Sequence, residues 1–322
     1  MARKEEIIKI FSNSIRNILR CVSVDFEQLQ EIRLRVNAPL LIISDNQEFY
    51  LTPEGILSKQ RTHAYIVSRQ ELKETLEYIS NYSLYAFEEE IRQGFITIQG
   101  GHRIGLAGKV ISDENGIRSM KFISFLNVRL SHEVRGCADK VLPYLYQNGD
   151  FVHTLILSPP RCGKTTLLRD LIRQISNGND RRTGMTVGVV DERSEIGACY
   201  QGIPQNDLGI RTDILDCCPK ALGMMMLIRT MSPQVIAVDE IGSRNDLEAM
   251  EYAMNCGCRL IATVHGRTIA EIRQKPGLKK MMEERWFGRY VVLGNGEKTG
   301  NVEGIYDMDG KNIYPERTCP DG

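Results

Sequence analysis

The sequence carries no net charge: lysine plus arginine and aspartate plus glutamate both number 41 in 322 residues, and the two signs are balanced in each half of the chain. That removes the broad basic footprint with which a protein tracks nucleic acid or an acidic membrane, leaving only local patches for such work. Long apolar runs are also missing. Leu222 to Ile228 ranks among the longest, and it falls far short of the roughly 20 residues that cross a bilayer. Near the N-terminus Ile7, Ile8, Ile10, Phe11, Ile15, Ile18 and Leu19 are interrupted by Lys9, Asn13, Arg16 and Asn17, which reads as a short amphipathic helix and not as a signal peptide. A cytoplasmic protein is expected, docking at most peripherally on a membrane. The nine cysteines are odd in number and contain no C-x-x-C pair, and neither Cys217/Cys218 nor Cys256/Cys258 has zinc-ligand spacing. Reduced thiols and no metal cluster are expected. No repeat or low-complexity tract is present.

What stands out is Leu155 to Leu168, an apolar run that breaks at a proline-rich turn and resumes as a helical pattern carrying Gly163-Lys164-Thr165-Thr166. The spacing predicts a phosphate-binding loop made of Ser158, Pro159, Pro160, Arg161, Cys162, Gly163, Lys164, Thr165 and Thr166. Gly163 lets the backbone approach a phosphate, and the amides opening the helix present unpaired donors at the positive end of its dipole. Lys164 is placed to reach the β- and γ-phosphates of ATP, and the Thr165 hydroxyl to hold Mg²⁺. One position departs from G-x-x-x-x-G-K-[ST]: Ser158 stands where the first glycine is usual, and a residue with a Cβ is expected to weaken the turn out of the strand.

The chain before this loop reads as an α+β domain without a catalytic motif. Gln30 to Ile43 has the alternation of two short strands, and Ser68 followed by Glu71, Leu72, Leu76 and Ile79 predicts a capped helix. Ile91 to Ile111 reads as a hairpin turning at Gly100-Gly101, and Ile123 to Leu130 as a further strand. A polar turn after Val141 places the domain boundary at 148/149, giving domains 1–148 and 149–322. The second domain alternates strands and helices, which predicts a largely parallel α/β sheet with helices on both faces. Its strands are expected at Val152–Leu157, Thr186–Val190, Val235–Val238 and Leu260–Val264. Gly202 to Ile214 reads as a long loop, Ala221 to Arg229 as a packed helix, and Arg289 to Tyr306 as a hairpin around Gly294-Asn295-Gly296.

In such sheets the ligand gathers at the carboxyl ends of the strands, where the polar residues of this domain fall. Val235 to Val238 delivers Asp239 and Glu240: the first is placed to hold Mg²⁺ with Thr165, the second to align or deprotonate a water. Val189-Val190 delivers Asp191, Glu192 and Glu195, which repel one another unless a cation sits among them. Leu260 to Val264 delivers His265, a candidate sensor of the γ-phosphate.

These four stretches, in this order, resemble the Walker A, acidic, Walker B and histidine boxes of the additional-strand P-loop ATPases that serve type II and type IV secretion and pilus assembly. Arg211 to Asp216, Cys218-Pro219-Lys220 and Met231 to Gly242, with Glu31 to Arg35 and Gly100 to Leu106, are closer still to the sporulation branch of that family, the stage III AA proteins of endospore-forming bacteria. The resemblance implies a RecA-like ATPase, a homo-oligomer in the form of a hexameric ring, docked in the mother cell on membrane-embedded channel proteins facing the forespore. It also implies a cation supplied by a neighbouring subunit, for which Arg103, Arg129 and Arg211 are candidates, with Arg161, Arg193 and Arg244 available within the subunit. Catalysis is thus assigned to Glu240 with Lys164, Glu192, His265 and Arg211. Two other functions remain open at this point: a nucleotide-gated scaffold of the channel with little hydrolysis, and a nucleic-acid motor, against which the balanced charge argues.

Overall fold

The computed structural model describes residues 2–83, 87–114, 116–294 and 300–315. The chain divides into two compact units, Met1–His132 and Glu133–Gly322. This division precedes the expected 148/149 because Ala138, Val141, Leu142 and Leu145 are buried in the core of the second unit. Their apolar spacing outweighs the polar turn that follows them.

In the first unit, helices α1 (Ala2–Ile8) and α2 (Asn13–Cys21) replace the single expected helix. The break falls at Ser12, whose amide leaves the helical ladder to donate to Thr75 Oγ1 at 3.0 Å. Strands β1 (Leu29–Arg35), β2 (Leu41–Ser44), β3 (Gln47–Leu51) and β4 (Leu57–Ser58) precede α3 (Arg69–Ile79) and α4 (Glu88–Gln93); β5 (Phe95–Ile98), β6 (His102–Asp113) and β7 (Gly116–Arg129) follow. All seven strands form one antiparallel sheet in the order β4-β3-β2-β1-β7-β6-β5. The expected capping box is present: Ser68 Oγ accepts from the Glu71 amide at 3.2 Å while Glu71 accepts from the Ser68 amide at 2.8 Å. Gly100 and Gly101, with φ of 86° and 73°, turn β5 into β6 as the sequence predicts. β7 begins well before Ile123, because its outer half pairs with β6 in a ribbon exposed on both faces, where no apolar alternation marks it.

Because side chains alternate along a strand, the two faces of this sheet differ sharply. Ile32, Leu34, Ile104, Leu106, Leu126 and Val128 are buried on one. The other carries two registered rows, Glu31–Arg129–Arg103 and Arg33–Asn127–Gly105, with Arg35 opposite Phe125.

The second unit is built on β8 (Thr154–Ser158), α5 (Lys164–Asn177), β9 (Val187–Asp191), β10 (Thr212–Asp216), α6 (Lys220–Thr230), β11 (Val235–Val238), α7 (Arg244–Asn255), β12 (Arg259–His265), α8 (Ile269–Gln274), α9 (Pro276–Glu283), β13 (Arg289–Leu293) and β14 (Val302–Asp307). The sheet order is β10-β9-β11-β12-β8-β13-β14, parallel throughout except for β14. The pairing of β13 with β14 bears out the expected hairpin, while Asn295 and Gly296 of its turn lie outside the described residues. β10 corrects the reading of Gly202 to Ile214 as loop throughout. As an edge strand carrying Asp213 and Asp216 it is only partly covered, so it lacks the unbroken apolar run of its neighbours.

Alternation also divides the core. Ile156, Val189, Ala237 and Ile261 face Leu167, Leu168, Leu171, Ile172 and Ile175 of α5, whereas Leu155, Leu157, Val190, Ile236 and Val264 face Met224, Leu227, Met250, Leu278 and Met281. The helical methionine run is therefore only partly core: Met224 is buried, and Met226 is exposed.

Candidate functional site

β12 lies between β8 and β11, so the strand carrying Thr263 and His265 separates the strand that feeds the phosphate loop from the one that delivers Asp239 and Glu240. Their carboxyl ends are level, with Ser158 registered against His265. After β8 the chain turns through Arg161 and Gly163, with φ of 64° and 86°. This is where the loop needs left-handed backbone, and glycine supplies one of the two positions. Ser158 needs none. It is the last extended residue of β8, fully buried, with Oγ donating to the Pro159 carbonyl at 2.7 Å. The expected weakness at Ser158 is thus removed, since a Cβ there costs no backbone strain.

Lys164 opens α5 and points at the acidic pair. Its ammonium is 2.5 Å from Glu240 Oε1 and 3.9 Å from Asp239 Oδ1. Thr165 Oγ1 donates to Asp239 Oδ2 at 2.7 Å, and Thr263 Oγ1 donates to Asp239 Oδ1. The Thr263 hydroxyl also accepts from the Glu240 amide at 2.9 Å, so one buried side chain fixes both acidic residues. Glu240, at φ 52°, sits in left-handed backbone that a side chain seldom adopts. Its head is surrounded by cations: Arg193 at 2.5 Å on Oε2, and His265 Nε2 at 3.0 Å on Oε1 beside Lys164. Burial pushes the Glu240 carboxyl up, but Lys164, then Arg193 and His265, outweigh it and leave it below the ordinary range. A hydroxyl beside a carboxylate is the oxygen donor set that suits Mg²⁺, which takes few protein ligands and keeps water and phosphate oxygens for the rest; Thr165 and Asp239 fit that group.

The acidic stretch after β9 resolves differently from expectation. Asp191 turns back onto its own loop, accepting from the amides of Glu195 at 2.9 Å and of Ile196 and Gly197 at 2.8 Å each. Burial pushes its carboxyl up to about 6 despite those three donors. Glu192 pairs with Lys220, and the Glu195 carbonyl is held by Arg169 at 2.7 Å. Amides and Lys220 thus satisfy Asp191 and Glu192 within the chain, and Glu192 is not brought to the Lys164 cluster.

The arginines separate in the same way. Arg193 reaches Glu240. Arg211 donates to the Ser176 carbonyl at 3.0 Å, capping the end of α5 remote from Lys164. Arg244 is fully at the surface, paired with Glu248 at 2.9 Å, and Arg161 is exposed in the phosphate loop. In the first unit Arg103 lies 3.6 Å over the Phe95 ring, and Arg129 is 3.8 Å from Glu31, which also binds Arg33 at 2.5 Å. Thr263 is the functional residue that motif reading passes over; a polar residue inside the apolar run Leu260 to Val264, two positions before His265 and so on its face, is the signal that marks it.

A parallel sheet whose strand ends assemble a phosphate loop, an acidic pair and a histidine defines a P-loop ATPase fold of the secretion type. Solved structures agree on that fold. The ATPase DotB of Legionella pneumophila matches with a TM-score of 0.56 and 14% identity over 88% of this chain and 78% of that one. The pilus retraction motor PilT, solved with bound ADP, matches with a TM-score of 0.54 and 16% identity over 82% and 73%. The family model for sporulation stage III, protein AA matches residues 1–313, and the stage III sporulation protein AA of Bacillus subtilis (strain 168) is 42% identical over 314 residues, covering 97% of this chain and 98% of that protein. The chain belongs to the sporulation stage III protein AA family. Among the described residues no helix is long and apolar enough to cross a membrane.

Proposed function

We propose that the chain is a P-loop ATPase that powers or assembles a membrane channel during endospore formation, working in the mother cell as a homo-oligomeric ring of six subunits against membrane-embedded partners. The observation that carries the reading is the convergence of Lys164, Thr165, Asp239, Glu240 and His265 at level strand ends. In this reading the α5 amides and Lys164 bind the ATP phosphates, and Lys164 exchanges Glu240 for them. Thr165 and Asp239 hold Mg²⁺, whose chemistry is to neutralise phosphate charge. Glu240 orients the attacking water and takes its proton, and His265, on the same carboxylate oxygen, responds to that change. The arginine-rich sheet face of the first unit, with Arg103 and Arg129, offers the cation that a neighbouring subunit's site requires; Arg211 and Glu192 have structural partners that support positioning roles instead.

Phosphate release by the purified protein, with and without membranes carrying its partners, tests the reading. Nucleotide binding with no hydrolysis under either condition leaves the scaffold function, and salt-sensitive binding to single- or double-stranded DNA would revive the nucleic-acid motor.

A further inference from the structure

Behind Glu240, on the far side from Lys164, lies a cleft of about 220 Å³ lined by Glu240, Ile241, Gly242, His265, Lys275 and Leu278, among others. Three features of this cleft are unexplained by the binding of ATP. The His265 imidazole is buried at Nδ1, and that nitrogen has no hydrogen-bond partner. Lys275, which sits between α8 and α9, returns across the cleft so that its ammonium binds the His265 carbonyl. Gly242 and Gly277 keep the walls low, and a Cβ on Gly277 would stand 3.6 Å from the Gly242 carbonyl.

The chemistry of the cleft follows from Glu240. As a carboxylate it only accepts, so the 3.0 Å contact requires His265 Nε2 to carry the hydrogen. In the neutral ring Nδ1 then holds a lone pair and calls for a donor. Lys275 adds a positive charge at the rim, shared with Glu271 at 3.7 Å. The occupant that satisfies both groups is an anion that also carries a hydroxyl. Hydrogenphosphate is such an anion, with P–O⁻ for Lys275 and P–OH for Nδ1, whereas sulfate at neutral pH has no proton to give.

We propose that this cleft is a holding site for the inorganic phosphate released on hydrolysis, with Lys275 as its cationic ligand and His265 Nδ1 as the acceptor that selects a protonated oxyanion. The proposal rests on the ATPase reading for the source of the phosphate, and on the cleft itself for its recognition. Glu240 forms the wall between the phosphate loop and the cleft, so movement of its carboxylate away from Lys164 connects the two, and departure of phosphate is coupled to His265.

Calorimetric titration of inorganic phosphate and of sulfate into the full-length protein, with ADP and Mg²⁺ present, tests this. Phosphate should bind about tenfold or more tightly than sulfate, Lys275→Met should weaken phosphate by a similar factor, and Lys275→Arg should restore most of it. Thermal unfolding of both variants checks that they are folded. Equal binding of sulfate and phosphate, or a Lys275→Met protein that binds phosphate as the wild type does, overturns the proposal; the latter would place any bound phosphate in the phosphate loop. ADP affinity is measured on the same samples. Loss of ADP binding with phosphate selectivity intact removes the ATPase reading and leaves the cleft as an oxyanion site.

Discussion

Lys164 Nζ lies 2.5 Å from Glu240 Oε1, an ion pair between the first residue of α5 and the carboxylate that follows β11. The two groups that phosphoryl transfer assigns to opposite tasks, binding phosphate and directing water, hold each other in place. Glu240→Gln should therefore release Lys164 for nucleotide and remove a negative charge facing the phosphates, so ATP binding is kept or tightened. Turnover should fall about 100-fold or more, the range of a lost general base. Equilibrium binding of a fluorescent ATP analogue and a phosphate-release assay measure the two effects, and unchanged turnover would take Glu240 out of the role.

Ser158→Gly, which brings the loop to the common pattern, should not improve nucleotide affinity. Ser158 is extended and in register with His265, so the glycine relieves nothing. It adds chain entropy to a central strand instead, costing about 0.5–1 kcal/mol of stability. Binding titration and chemical denaturation of the variant check both; a clear gain in affinity would show that the loop adopts another backbone when it binds.

Thr263→Val keeps the shape of the side chain and deletes the hydroxyl that donates to Asp239 and accepts from the Glu240 amide. Leaving that buried amide unpaired should cost about 1–3 kcal/mol. Loss of turnover should accompany it, because both acidic residues lose their anchor. Thr263→Ser should recover most of the activity, and a Thr263→Val protein of wild-type kcat would limit the residue to packing.

Stability should fall in mild acid through His153. Its Nδ1 accepts from the Leu260 amide at 3.1 Å, and burial, with Arg259 adding to it, lowers its pKa from 6.5 to about 4. The folded state thus prefers the neutral ring, so the contribution is complete above 6.5 and is lost as pH falls through that value toward about 4. Allowing for the partial exposure of the ring, the loss is roughly 1–2 kcal/mol. His153→Asn, which retains an acceptor that does not titrate, should flatten the pH dependence of denaturation midpoints over this window. A slope identical to the wild type's would assign the acid sensitivity elsewhere.

Much of the fold was legible because apolar spacing and turn chemistry agree. The β11 run Val235–Val238, the capping box at Ser68 and the hairpin at Gly100-Gly101 each combine a local signal with a burial requirement. The misses lie where one of the two is absent. β10 and the outer ribbon of β6 and β7 are strands by pairing with little burial, so nothing in their composition separates them from loop. Residues 133–148 carry a core pattern without saying which unit that core belongs to.

The candidate site divides along the same line. The sequence by itself determined the chemical groups and their place at strand ends: Lys164 and Thr165 after β8, Asp239 and Glu240 after β11, and His265 at the end of β12. The tertiary structure decided which of them meet. Sheet order is set by the packing of helices on two faces, and it put β12 between β8 and β11, so that Thr263 and His265 became the centre of the cluster. It gave Asp191 and Glu192 to amides and Lys220, and Arg211 to the far end of α5, because a buried polar group takes whichever partner the fold brings within reach.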